Sequence, residues 1–185
     1  MPKPTLLCQK EFNDKEIGPN GPYERKSSFN KESTIGRKTR LLIVGTVTPP
    51  NAIYFYCSPR NRIYGYIDEV FNDTNLLDHK TDSSCIGIKK ILSNKSIAFL
   101  DVMKDVIRKK DSPYDKDILF YTLDYDAFKI LKNKDVIVIV NSRLAEQGLS
   151  EIYGRLEISE PSYIYLSQRR GLKSDWLQAI EAIAK

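Results

Sequence analysis

RLLIVGTV, residues 40–47, decides the architecture. It is an unbroken aliphatic run that closes on Gly45, and a strand covered on both faces of a parallel sheet reads this way, whereas a half-wet strand alternates apolar and polar positions. TPPN follows at 48–51, and its two prolines stop any continuation as helix or strand, so the chain turns at once. Two more segments carry the same signature, IAFLDV at 97–102 and VIVIV at 136–140, and a shorter fourth strand is predicted at 163–166. Helical patterns lie between and after them. Ile63, Ile67 and Phe71 stand at i, i+4 and i+8 and give one apolar face. A second helix is predicted over 84–94, with Cys85, Ile86, Ile88, Ile91 and Leu92 on its buried side. A third spans 124–132, opened by Asp124 as an acidic cap. A fourth starts at Ser142, and the last covers 173–185 with Trp176, Ile180 and Ile183 inward. Buried strands alternating with helices require right-handed crossovers and a helical layer on each side of the sheet. The predicted fold is α/β, a three-layer α/β/α sandwich around a mostly parallel four-stranded sheet.

Residues 1–39 are rich in Lys, Asn, Ser, Gly and Pro without an apolar period, so they read as a basic, polar amino-terminal arm, and 40–185 as the domain. At 185 residues one core is expected. Charged residues make up 29% and hydrophobic ones 41%, and no apolar run approaches the length of a bilayer span. No membrane association is expected. The opening MPKPTLLCQKEF lacks the apolar core of a secretory signal, which points to the cytoplasm. Cys8, Cys57 and Cys85 are odd in number and far apart, which fits reduced thiols; they make neither a disulfide framework nor an iron–sulfur cluster, for which four thiolates are needed. His79 is the sole histidine and lies in a polar stretch, so multi-histidine metal sites are excluded by count. No GxGxxG follows the first strand, which removes a dinucleotide cofactor of that type. The chain is therefore expected to work without cofactor or metal. The net charge of +5 favours a polyanionic partner.

In sheets of this kind ligands bind beyond the carboxyl ends of the strands. The candidate region is thus 45–50, 101–104, 141–143 and 167–171. Gly45 and Thr46 lie where close backbone approach to a ligand is useful, and Asn141 closes an apolar strand with a side chain whose donor and acceptor faces suit a nucleobase edge. Asp101 ends a strand and could orient water, tie loops together or cap a helix.

GTVTPPNAIYFYCSPRNRIY, residues 45–64, resembles the first motif of the hypoxanthine-DNA glycosylase branch of the uracil-DNA glycosylase superfamily, shared in part by mismatch-specific uracil glycosylases. That pattern is roughly G-[ST]-x-P, a spacer, then Y-Y-x-H-P-x-N-x-F-W, and Gly45, Thr46, Pro49, Phe55, Tyr56, Pro59, Arg60 and Asn61 occur here in the same order. IAFLDVMKDVIRKKDSPYD is similar to the family's strand ending in Asp-Val, followed by an Arg and a Ser-x-Asp, and VIVIVNS to its strand ending in Asn-Gly.

The resemblance implies a monofunctional DNA glycosylase, acting as a monomer, that flips a base from DNA and hydrolyses its N-glycosidic bond. Tyr56, with Phe55 beside it, would stack on the base; Asn61 would orient the attacking water, with Asp101 as a second catalytic candidate. Gly45, Thr46, Ser58 and Asn141 would complete the base pocket. Arg60 and Arg62 flank the Asn, and Gln168, Arg169 and Arg170 fall in the loop where family members press a wedge into the duplex. Ser58 stands where the family has His, and Ile63 and Tyr64 replace its Phe-Trp. A smaller residue at 58 implies room for a larger base, such as a hypermodified cytosine of phage DNA, and a role in phage defence rather than uracil repair. Two alternatives remain open: a DNA-binding protein that kept the scaffold and lost the chemistry, and a hydrolase of free nucleosides.

Overall fold

The computed structural model describes residues 24–49, 52, 54–55, 62–72, 76, 85–108, 114–159, 163–166 and 173–184. Four parallel strands form the central sheet, β2 (Leu41–Gly45), β3 (Ile97–Asp101), β6 (Ile137–Val140) and β7 (Tyr163–Tyr165), in the order β3-β2-β6-β7. β2 is central: Gly45 pairs with Asp101 of β3, and Val44 with Val140 of β6. Every residue of β2 and β3 is buried, which is why both read as solid apolar runs.

Alternate side chains of β2 feed two cores, one on each face. Leu41 and Ile43 join Ile63, Ile67, Ile88, Leu92, Trp176 and Ile180, which come from α1 (Ile63–Phe71), α2 (Ile86–Asn94) and α5 (Lys173–Ala184). Leu42 and Val44 join Ala145, Leu149 and Ile152 of α4 (Arg143–Leu156), Phe128 of the short α3 (Tyr125–Phe128), and the inner side of a second sheet. Each aliphatic side chain buried in this way contributes about 1.5–3 kcal/mol relative to exposure. The result is the expected three layers, with the central sheet parallel throughout. Tyr66 of α1 and Trp176 of α5 bring their rings to 6.1 Å, so these two helices share one layer.

The second sheet was not legible beforehand. β4 (Met103–Arg108) pairs antiparallel with both β1 (Glu24–Ser27) and β5 (Ile118–Leu123). The chain passes from β3 into β4 through Val102 alone, whose N–H bonds the Gly45 carbonyl at 2.9 Å, so the second sheet is anchored at the carboxyl end of the first. Residues 24–34, within the stretch read as an arm, supply β1 and then run along the outer edge of β3. Thr34 Oγ1 donates to the Ile97 carbonyl at 3.1 Å and Ser33 Oγ to the Phe99 carbonyl at 2.7 Å. Asn30 brackets Asp101, its Nδ2 donating to the Asp101 carbonyl and its Oδ1 accepting the Asp101 N–H, both at 2.8 Å. Side chains thus satisfy backbone groups that an edge strand otherwise leaves open.

Three local expectations need correction. Ile86, assigned to the buried side of α2, is 67% exposed, because the helix begins there after Cys85 at φ 54°, and only Ile88 and Leu92 are fully inward. The helix over 124–132 is one α-turn, Tyr125–Phe128, followed by a 3-10 segment, Lys129–Asn133; Asp124 does cap it, accepting the Ala127 N–H at 3.1 Å. Arg108, one of the cations behind the net charge of +5 taken to favour a polyanion, is fully buried, and its guanidinium donates to the Tyr114 carbonyl at 3.0 Å. It ends β4 wholly inside the protein, a placement that charge counting along the sequence does not reveal.

Candidate functional site

Three strand ends and one turn meet at the carboxyl edge of the parallel sheet. After Gly45 the chain continues through Thr46, Val47 and Thr48, all buried, to the half-buried Pro49. Two carboxylates fix this loop. Asp101, 0% exposed at the end of β3, accepts the Thr48 N–H and the Thr48 O–H on the same oxygen, Oδ2, both at 2.8 Å. A buried carboxylate placed on a backbone N–H and a hydroxyl makes short, charge-assisted bonds, and they hold the loop against β3. Asp101 caps none of the described helices; the chain turns through Val102 directly into β4.

The second carboxylate is Asp115, in the 3-10 turn Asp115–Asp117 that precedes β5. Thr46 Oγ1 donates to Asp115 Oδ2 at 3.0 Å and lies 2.7 Å from Ser142 Oγ. Ser142 caps α4 and accepts the Ala145 N–H at 3.1 Å. The order of donors follows from these contacts. An ionised carboxylate only accepts, so Thr46 gives its proton to Asp115; Ser142 must then give its own to Thr46. A single directed chain runs from the Ala145 N–H through Ser142 and Thr46 to Asp115, joining β2, the start of α4 and the second sheet.

Asn141 follows β6, with its N–H on the Val44 carbonyl at 3.0 Å. Its side chain is half-buried, and its carboxamide makes no hydrogen bond among the described residues. Next to it, the Arg143 guanidinium lies 4.3 Å above the Tyr165 ring and is tethered to Glu146 Oε2 at 2.6 Å. Tyr163 OH also reaches Glu146, at 3.4 Å. A cation–π stack with a second tether gives an exposed arginine a defined position.

Of the residues expected at the site, Gly45, Thr46, Asp101 and Asn141 gather on this edge. Phe55 does not lie open to it. The ring is 0% exposed, stacked on Phe99 at 6.1 Å and set edge-on to Tyr54 at 5.0 Å, with Tyr64 O–H donating to its carbonyl at 2.6 Å. Contact between Phe55 and a ligand would require this aromatic cluster to open. Arg62 is exposed at the amino-terminal cap of α1, where its side chain makes no capping bond. Tyr56, Ser58, Arg60, Asn61, Gln168, Arg169 and Arg170 lie outside the described residues, as do His79, Cys8 and Cys57.

Thr48, Ser142 and Arg143 fall inside the candidate strand ends 45–50 and 141–143, and Asp115 closes the family-like stretch IAFLDVMKDVIRKKDSPYD, but the sequence alone gives none of the four a role at the site. For Ser142 a signal existed, a hydroxyl residue before a helical pattern. For Asp115 only the motif resemblance touched the position; its contact with Thr46 spans 69 positions and leaves no local pattern. Among the described residues no group of three or more His, Cys, Asp or Glu side chains is placed to hold a metal ion, and no helix is long and apolar enough to cross a membrane.

No protein-family model matches the sequence, and the curated proteins contain no match to it. Among solved structures, the chain is similar to a protein from Methanosarcina acetivorans provisionally assigned as a uracil DNA glycosylase. The two share 20% identity and a TM-score of 0.58, over 83% of this chain and 96% of that one. At that identity the likeness establishes a common fold.

Proposed function

We propose that the protein is a DNA glycosylase that receives an extruded base at the carboxyl edge of its parallel sheet and hydrolyses the N-glycosidic bond, leaving an abasic site. The observation that carries this reading is the unengaged carboxamide of Asn141, held half-buried at a strand end beside a loop that two carboxylates make rigid. An amide in that setting has donor and acceptor capacity to offer a ligand, and the hydrogen-bonding edge of a nucleobase is complementary to it. The fold shared with a provisionally assigned uracil DNA glycosylase supports the same reading.

In the reaction the bond from C1′ to the base nitrogen breaks, water oxygen adds to C1′, and the base leaves with a proton. The sugar passes through an oxocarbenium-like state that needs positioning and electrostatic support more than strong acid–base groups. Asn61 is proposed to orient the water and Tyr56 to stack on the base, both from the motif at 45–64. Asp101 contributes through the loop: with both Thr48 donors on its Oδ2, it sets where residues 46–49 stand. Arg60, Arg62, Gln168, Arg169 and Arg170 are assigned to the DNA backbone or to insertion. The finer proposal is a base larger than uracil, such as a hypermodified phage cytosine, because Ser58 replaces a histidine of the motif; excision of such a base would serve phage defence.

The test is a panel of duplexes carrying natural, deaminated and modified bases, scored for alkali-sensitive breaks. Breaks at one class of base are expected, lowered about a hundredfold or more by Asn61→Ala, the loss typical of a transition-state contact. Absence of breaks on every duplex, with DNA binding intact, would instead identify a binding protein on this scaffold; cleavage of free nucleosides would identify a nucleoside hydrolase.

A further inference from the structure

We propose that Asp115 is a specificity-determining positioning residue: by fixing the direction of the Ser142–Thr46 hydroxyl chain it keeps an oxygen acceptor at the site and selects bases with an exocyclic amino group over those with a keto group. This rests on the glycosylase reading for its ligand, a nucleobase, but on separate observations for its chemistry. The Thr46 proton is committed to Asp115 Oδ2 at 3.0 Å, and the Ser142 proton to Thr46 Oγ1 at 2.7 Å. The Ser142 oxygen also accepts the Ala145 N–H at 3.1 Å, which leaves it one lone pair and no proton to offer. Thr46 is only 3% exposed, whereas Ser142 is half-buried, so of the two hydroxyl residues Ser142 is the one placed to meet a ligand.

A free hydroxyl would not discriminate, because it rotates to give or accept as the ligand requires. A pinned one does. Asn141 next to it has both amide faces available and can match either arrangement by rotation, so the fixed Ser142 acceptor sets the preference. Pyrimidine position 4 and purine position 6 carry the groups that differ: an amino donor in cytosine and adenine, a keto acceptor in uracil and hypoxanthine. Two acceptors facing each other leave both unsatisfied once the bound base has displaced the water between them.

The experiment uses the full chain and measures affinity, so that it does not depend on turnover. Duplexes carry the queried base opposite an abasic position, on a 2′-fluoro sugar that disfavours the oxocarbenium ion and blocks cleavage. Dissociation constants are compared for cytosine against uracil and for adenine against hypoxanthine. Wild type is expected to bind the amino member of each pair about tenfold more tightly, the factor for one well-made against one mismatched hydrogen bond. Asp115→Asn can donate to Thr46 and let the chain reverse; Thr46→Val cuts it. Both are expected to bring the ratio close to one, with thermal unfolding followed in parallel, and either variant alone suffices if the other does not fold. Equal affinities within each pair in wild type, or a ratio unchanged by the substitutions, overturn the proposal. Failure of the glycosylase reading is seen separately, as the absence of abasic sites on the whole panel of natural, deaminated and modified bases with ordinary deoxyribose.

Discussion

At the scale of the residue, the site is organised by a few polar groups whose partners lie far away in sequence. Asp101 is the clearest. Its carboxylate serves two Thr48 donors, and Thr48 is itself fully buried, so Asp101→Ala strands an N–H and an O–H without an acceptor. The expected loss is about 3 kcal/mol of unfolding free energy, measured by urea denaturation, against a few tenths for an ordinary surface substitution. Tyr54 gives a pH signature. Burial, above all, pushes its phenol above the ordinary tyrosine range, and Tyr125 is pushed up to about 12, again mainly by burial and then by its hydrogen bond to Glu151. In the unfolded chain both phenols ionise near pH 10. Their contribution to stability is therefore complete below about pH 10 and falls as the pH rises toward the folded values. Urea titrations from neutral to alkaline pH are expected to show this decline, and Tyr54→Phe to make it shallower; a flat profile would contradict the assignment. The positions of Gly45, Thr46, Asp101 and Asn141 at strand ends were readable from the apolar runs before them. Their partners were not, because bonds from Thr46 to Asp115 and Ser142 span 69 and 96 positions and leave no local pattern.

At the scale of the element, α4 offers a paired comparison. A Cβ on Gly148 would lie 2.9 Å from Val102 Cγ2 and 3.1 Å from Val102 Cβ, at the junction of β3 and β4, whereas one on Gly154 would meet nothing within 4 Å. Gly148→Ala is expected to destabilise by about 1–2 kcal/mol, since overpacking outweighs the gain in helix propensity. Gly154→Ala is expected to stabilise by up to about 1 kcal/mol, the propensity gain alone. Thermal unfolding of the two variants checks both signs. The edge of β3 gives a second expectation: a chain beginning at Arg37 loses β1 and the bonds from Asn30, Ser33 and Thr34, and is expected to unfold at lower temperature and to scatter light on standing. The parallel strands were legible because burial on both faces forces a continuous aliphatic run. β4 and β5 were not, because MKDVIR carries charges at Lys104 and Asp105 and a buried Arg108, while β5 is half-exposed along much of its length. Nor did composition reveal that part of the polar amino-terminal stretch is edge protection: Asn30, Ser33 and Thr34 look like loop residues until β3 is beside them.

At the scale of the whole molecule, a four-stranded parallel sheet carries a rigid carboxyl edge, a second sheet braces it through Val102 and Asp115, and the net charge of +5 favours a polyanion. If the charge engages phosphates, DNA affinity is expected to fall by about a thousandfold between about 50 and about 200 mM salt, with fluorescence anisotropy as the readout. The most direct test of the proposed DNA site is an NMR titration of isotope-labelled protein with a duplex containing an unpaired base. The largest shifts are expected at Gly45, Thr46, Thr48 and Ser142 and in the side-chain amide of Asn141. Shifts concentrated at the opposite end of the sheet, around Ser96 and Val136, with the Asn141 amide unmoved, would contradict the account.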